Sequence, residues 1–387
     1  MRNQERLKTR EAADAIVVGG GVIGLTIARA LRVRGVERVL LIESARPGAE
    51  ASHAAAGMLA PQAEANCADE FFELACASRD LYPAFADALR EETGTDIELE
   101  RTGTLYLAFN EHDEDEIAQR YEWQTRAGLL VERLSAEEAR SLEPCISPSL
   151  RAALRFPLDV QVENRRLIAA LTTSLERHGV ELLAETHVKS LVVERGRVEG
   201  VETSRGKISA PVVVVACGAW TSFISSSDKA TAPEVSIEPV RGQMLCFEMN
   251  PRLARHVIYS PRGYIVPRLD GRLLIGSTTE RAGFNKRVTA GGINAITTHA
   301  LEIAPAIENL TLVDSWAGLR PVASDELPVM GACADVHGLF YATAHYRNGI
   351  LLAPLTGELI AEQITTKITP PMLRAFSPDR FHCVGVS

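Results

Sequence analysis

What the chain lacks narrows its identity before any motif is read. Its seven cysteines are Cys67, Cys76, Cys145, Cys217, Cys246, Cys333 and Cys383; none forms a CxxC pair and the number is odd. That speaks against a disulfide framework and against a zinc site, and it fits a reducing compartment, so a cytoplasmic location is expected. The apolar runs are short and broken by Gly or Arg, far from the ~20 apolar residues that a bilayer span needs. Met1–Ala13 is polar and charged, without the apolar core of a secretory signal. No block of like charges forms a binding tail, and the formal charge of -9 would repel nucleic-acid phosphates. There is no Pro/Ser-rich linker and no internal repeat.

What is present is a globular chain of 387 residues, long enough for one large domain or two ordinary ones. The continuous apolar run ending at Val18 reads as a strand buried on both faces. Ile23, Ile27, Ala30 and Leu31 then recur at helical spacing, Gly35 suits a C-cap, and Val39–Ile42 is a second buried strand. This is a βαβ unit, and its crossover makes the strands parallel. Further buried strands are expected at Val212–Ala216 and Gly338–Thr343, and alternating strands at Gln243–Glu248, Tyr264–Pro267 and Arg272–Ser277. A meander is expected over Val188–Glu202, and helices over Asp69–Thr93, over Ser135–Arg140 with a Ser135/Glu138 capping box, and over Arg165–Arg177. In the last helix Pro354 is tolerable only close to the start. Parallel-type strands at the beginning, middle and end, with alternating strands between them, predict two interleaved domains in a mixed α/β fold.

Gly19-Gly20-Gly21-Val22-Ile23-Gly24 fits GxGxxG between the first strand and the first helix. Gly19 permits the tight turn, Gly21 lets the backbone approach a pyrophosphate, and Gly24 lets helix and strand lie close. The N–H groups of the helix start, Val22 and Ile23 among them, then hold phosphates. Glu43, nineteen residues after Gly24, suits the ribose hydroxyls. This motif by itself admits NAD or FAD. No second GxGxxG follows a strand, so a second dinucleotide site of this type is not expected.

The residues around these motifs resemble the D-amino-acid-oxidase superfamily, and within it the glycine oxidases of thiazole biosynthesis. The resemblance rests on Asp14–Leu25, on Glu43, and on Ala51-Ser52-His53-Ala54-Ala55-Ala56-Gly57-Met58-Leu59-Ala60-Pro61-Gln62-Ala63-Glu64. Trp316-Ala317-Gly318-Leu319-Arg320-Pro321 and His345-Tyr346-Arg347-Asn348-Gly349-Ile350-Leu351-Leu352-Ala353-Pro354 add to it. It implies a Rossmann-like FAD-binding domain (residues 14–62, 160–232 and 316–370) interleaved with an antiparallel-sheet substrate domain (63–159 and 233–315). Ser52, Ala55, Ala56, Gly57 and Met58 would lie against the flavin, since small residues let a flat ring approach the backbone. Val188 and Gly218 join the cofactor set. Asn348 and Gly349 would cap the last helix, whose first turn, with Ile350 and Leu351, would face the flavin pyrimidine. Arg320 would bind the substrate carboxylate bidentately, Tyr264 would reach it too, and Arg347 would stand nearby. His345 reads as structural.

The implied reaction is hydride loss from the Cα of a small amino acid with a neutral amine, so no essential general base is expected. Oxygen would be reduced to hydrogen peroxide, and iminoacetate from glycine would feed thiazole assembly. FAD would be non-covalent, because Val322-Ala323-Ser324-Asp325 lacks the cysteine that attaches flavin in some relatives. A homotetramer is implied. Two departures stand out: Glu326 where the family often has Gly, and His53 in place of an aromatic. The alternatives are a D-amino-acid dehydrogenase that passes electrons to a quinone, a sarcosine-type oxidase, a flavin-carrying subunit without turnover, and an NAD-dependent dehydrogenase.

Overall fold

A computed structural model of the protein describes residues 12–227 and 235–381. Most of the polar N-terminal stretch, Cys383, and residues 228–232 of the expected FAD-binding segments lie outside the described residues. Four-residue apolar strands, Ala15–Val18 and Val39–Ile42, are buried along their whole length and pair in parallel. The order of the six-stranded sheet is Val329–Ala332, Leu339–Thr343, Val213–Val215, Ala15–Val18, Val39–Ile42, Glu181–Leu183. All neighbours are parallel except the Val329–Ala332 edge. Alternation sends Ala15 and Val17 to one face and Ile16 and Val18 to the other. The first face packs under helices Val22–Val33, Asn164–Arg177 and Gly349–Thr366. The second face packs against the meander Val188–Glu194, Arg197–Thr203 and Gly206–Ser209.

An eight-stranded sheet forms the other half, running from Thr311–Val322 through Glu238–Glu248 to Glu132–Ser135. Its Leu245, Ile258, Ile265 and Ile275 face helix Ala290–Ile303. Met244, Val257, Val266 and Leu274 lie on the opposite face, beside Ala56.

The expected fold class holds, and two of the expected boundaries need correction. Thr311–Val322 pairs without a break along Glu238–Glu248, so a boundary at residue 316 cuts a strand that the ladder keeps whole. Helix Glu70–Thr93, assigned to the substrate side, packs Leu74, Ala75, Tyr82 and Leu89 into the core beneath the six-stranded sheet. The reason lies in the last helix. Pro354 stands six residues into Gly349–Thr366, not at its start, and lacks the N–H that the Ile350 carbonyl would receive. The Tyr82 hydroxyl donates to that carbonyl instead. Ser78 Oγ donates to the Leu351 carbonyl at 2.7 Å and accepts from the Leu355 N–H at 3.4 Å. The longer helix thus repairs the proline defect. The expected capping box is present, with Ser135 and Glu138 bonded reciprocally.

Candidate active site

The two halves enclose a cavity of about 660 Å³ that runs from the GxGxxG turn to the face of the eight-stranded sheet. At one end Gly19 takes φ +108, and a Cβ there or on Gly24 would run into backbone carbonyl groups. The first helix has no acidic residue in its first turn and no side-chain cap from Gly21. Ser52 supplies the partner, its Oγ accepting from the Val22 N–H at 2.9 Å. Glu43 Oε2 accepts from the Gly20 N–H at 2.7 Å and Oε1 from Ala45 at 2.8 Å, which fixes the carboxylate beside the turn.

The middle of the cavity is floored by Ala54–Gly57. Gly57 takes φ +68 and sits against the Val162 carbonyl. Arg268, 1% exposed, donates to the Ala56 carbonyl at 2.7 Å, to Val162 at 2.7 Å and to Asn164 Oδ1 at 3.2 Å. Trp316 Nε1 donates to the Ala54 carbonyl at 3.1 Å. Two side chains carried by the eight-stranded sheet's half therefore clamp this small-residue segment.

Arg320, Tyr264 and Arg347 meet at the far end. Arg320 donates to Ser277 Oγ at 2.6 Å and to the Thr278 carbonyl at 3.1 Å. Among the described residues no carboxylate is ion-paired with it. Gly242 makes room for its guanidinium, which a Cβ would strike. Tyr264 stacks on Tyr259 with centroids 6.2 Å apart, and Tyr259 on Tyr106 at 5.5 Å. Arg347 donates to Thr279 Oγ1 at 3.3 Å. The loop carrying Arg347 holds Ala344 and Tyr346 at φ +58 and +45, pinned by the Tyr346 N–H donating to Pro321. Such strain in non-glycine residues persists only where surrounding bonds impose it, and it concentrates at functional sites.

Gly19, Gly21, Val22, Ile23, Glu43 and Ser52 line this cavity. So do Ala55, Ala56, Gly57, Met58, Val188, Gly218, Gly349 and Ile350. Three expected residues do not. Gly24 acts one layer back, by close packing on Gly19. Leu351 is buried in the helical core, with its carbonyl turned to Ser78. Asn348 occupies the N-cap position but makes no capping bond; its side chain bonds Glu64 instead.

Sequence reasoning missed Glu64 and Tyr259. Glu64 ends the four-residue helix Pro61–Glu64 and lines the cavity at the arginine end. Burial pushes its carboxyl above the usual range, against the pull of Arg347, the Asn348 bond and Arg320. Tyr259 carried a signal: it lies five residues before Tyr264 on the partner strand of one hairpin, directly opposite it. His345 lies against the same cavity, neutral because burial pushes its imidazole down to about 3, and its Nε2 bonds Thr356 Oγ1 at 3.1 Å. The Cys217 thiol is pushed up to about 12 by burial, so no thiolate faces the cavity there.

The family described as FAD dependent oxidoreductase matches residues 14–363. The chain belongs to this family. As a FAD-dependent oxidoreductase it is 38% identical over 370 residues to the glycine oxidase of Geobacillus kaustophilus (strain HTA426), covering 95% of this chain and 97% of that one. A crystal structure of glycine oxidase from Geobacillus kaustophilus superposes with a TM-score of 0.90 at 37% identity, covering 96% of this chain and 99% of the other. The chain is also 33% identical over 374 residues to the bifunctional protein ThiO/ThiG of Synechocystis sp. (strain ATCC 27184 / PCC 6803 / Kazusa), with 95% of this chain matching 54% of that protein. The cavity fits the cofactor. It offers helix-start N–H groups beside the glycine turn, a fixed acid at Glu43, and a small-residue floor where any larger side chain would intrude.

Proposed function

We propose that this oxidoreductase oxidises glycine, and with it other small amines such as sarcosine or D-alanine, to the imino acid, with oxygen as acceptor and hydrogen peroxide as the second product. The observation that carries the reading is Arg320. This half-buried guanidinium has only neutral partners and lies at the opposite end of the cavity from the nucleotide turn. A planar guanidinium with spare donors recognises a carboxylate in two-point fashion. The similarity to glycine oxidases supports glycine in particular.

In this reading Gly19, Gly21, Val22 and Ile23 hold the pyrophosphate, Glu43 the ribose, and Ala54–Gly57 with Gly349 and Ile350 the isoalloxazine. The six-stranded sheet serves the cofactor and the eight-stranded sheet the substrate. Bound FAD supplies a two-electron acceptor that oxygen regenerates. Arg320 and the Tyr264 hydroxyl fix the carboxylate, which orients the Cα–H toward the cavity floor; holding the reacting atoms in this way is the protein's main contribution to rate. The stacked tyrosines exclude water from that end. Iminoacetate from glycine would supply a thiazole-forming reaction, in line with the likeness to ThiO/ThiG. We also place the enzyme in the cytoplasm as a homotetramer. Among the described residues no helix is long and apolar enough to cross a membrane, and light scattering on the purified protein tests the assembly.

The deciding experiment measures peroxide from the purified yellow protein in air with glycine, sarcosine, D-alanine and D-proline. Peroxide with glycine is the expected result. Bleaching of the flavin by an amine without peroxide would replace oxygen with another acceptor, and no bleaching by any of them would overturn the substrate class.

A further inference from the structure

A small amino acid arrives with two charges, and the arginine end of the cavity holds an answer to each. Three carboxylates line the cavity: Glu43, Glu50 and Glu64. Glu43 is bonded to the glycine turn, and Glu50 is paired with Lys286 at 2.8 Å. Glu64 alone stands with Arg320, Arg347, Tyr259 and Tyr264.

The short helix that carries Glu64 is held by an unusually costly set of bonds. Asp159 accepts from the Ala63 N–H at 2.9 Å. Gln62 Nε2 donates to Gln124 Oε1 at 2.9 Å, while Gln124 Nε2 donates back to the Gln62 carbonyl at 2.8 Å. Arg120 donates to the Ala65 carbonyl, and Arg79 to Asp159 at 3.4 Å. All five of these side chains are buried, and Gln62, Gln124 and Asp159 are wholly so. Apolar packing would anchor a helix of this size at less cost than buried amides and charges. The bonds fix the backbone on both sides of Glu64 while leaving its carboxylate facing the cavity.

We propose that Glu64 grips the substrate ammonium opposite the Arg320 grip on the carboxylate, and takes one proton from it. In that step an N–H bond breaks and an O–H bond forms on the Glu64 carboxylate. The nitrogen keeps the electron pair, which becomes the C=N bond as Cα gives up its hydrogen with both bonding electrons to the two-electron acceptor that bound FAD would supply. Glu64 passes the proton to water when the imino acid leaves. Its target is nitrogen, so the Cα–H still needs no base. This assignment rests on the amino-acid substrate proposed above.

The groups facing Glu64 are Arg347 and Asn348 from the loop before the last helix, Arg320 from its strand, Arg120 from helix Glu111–Arg126, and the Tyr259 phenol. Burial pushes the Tyr259 phenol up, and His345 on the same loop is neutral above about 3. Burial pushes the Glu64 carboxyl above the usual carboxylate range, so Glu64 is the group here whose protonation, from active anion to inactive carboxylic acid, would form the acid limb of the activity profile.

The test uses holoenzyme with E64Q and E64D, reading KM and kcat for glycine, inhibition by glycolate, and the pH profile of kcat/KM. Glycolate has the carboxylate and no ammonium. E64Q should raise the glycine KM on the order of tenfold or more and lower kcat, leave glycolate inhibition within about twofold, and remove the acid limb of the profile. E64D, which keeps the charge, should retain that limb and part of the activity. An unchanged acid limb in E64Q, or equal weakening of glycine and glycolate, overturns the assignment. Wild-type enzyme that turns over no amino acid overturns the substrate class and Glu64 together, whereas glycine turnover unaffected by E64Q overturns Glu64 alone.

Discussion

Arg320 owes its freedom to two neighbours that are easy to overlook, the absent side chain of Gly242 and the neutral oxygen atoms of Ser277 and Thr278. Arg320→Ala should raise the glycine KM and lower kcat together, a combined loss of about 2–5 kcal/mol in kcat/KM, because a buried carboxylate loses its fixed partner. Steady-state peroxide assays check this, and near-normal kinetics would remove Arg320 from its role. Arg320→Lys should recover only part, since an ammonium lacks the planar fork. At this scale the sequence was legible where a residue type has few uses, as with Gly19, whereas Arg320 could be singled out only through the family motif around it. It was opaque at Glu64, an acid on a helix of four residues with no periodicity to give its direction. What aims Glu64 is Asp159, Gln124 and Arg120, each brought in by long-range folding. Glu326 shows a different limit: it fills a φ +60 position that glycine would take freely, and its sequence alone does not reveal that the turn survives the exchange.

Among the elements, the first helix and its turn form the tightest joint. Gly24→Ala would drive a methyl into the Gly19 carbonyl and open the phosphate turn. The expected outcome is folded protein purified without yellow colour; full flavin content by absorbance would refute the packing role. The repaired last helix permits a double-mutant cycle. Tyr82→Phe leaves the Ile350 carbonyl without a donor and should cost about 1–3 kcal/mol in denaturant unfolding. In a Pro354→Ala background the restored N–H serves that carbonyl, so the same change should cost clearly less. Equal costs in both backgrounds would show that the tyrosine does not stand in for the missing N–H. The boundaries expected for the helix that carries Ser78 and Tyr82 hold within a residue, whereas the last helix starts further ahead of Pro354 than expected. Their partners were invisible, because Ser78 and Tyr82 look like ordinary helix residues until the proline lies against them.

For the whole molecule the cofactor is a structural layer as well as a reagent, since it would fill the space between the two sheets. Stripping FAD should lower the unfolding midpoint by several degrees, and added FAD should restore it by mass action. Heat-denatured holoenzyme should release all its flavin to the supernatant; flavin that stays with the precipitate through denaturing washes would contradict non-covalent binding. The two-sheet architecture was legible from the contrast between continuous and alternating apolar strands. The route of the twelve-residue strand Thr311–Val322 was not, because its pairing along Glu238–Glu248 is set by long-range folding. The order of the six-stranded sheet also bears on synthesis. Ala15–Val18 leaves the ribosome more than three hundred residues before its sheet partner Leu339–Thr343 and the covering helix Gly349–Thr366. Until those two elements arrive the growing chain carries an uncovered greasy flank, so the cavity cannot close and cofactor loading must wait for them.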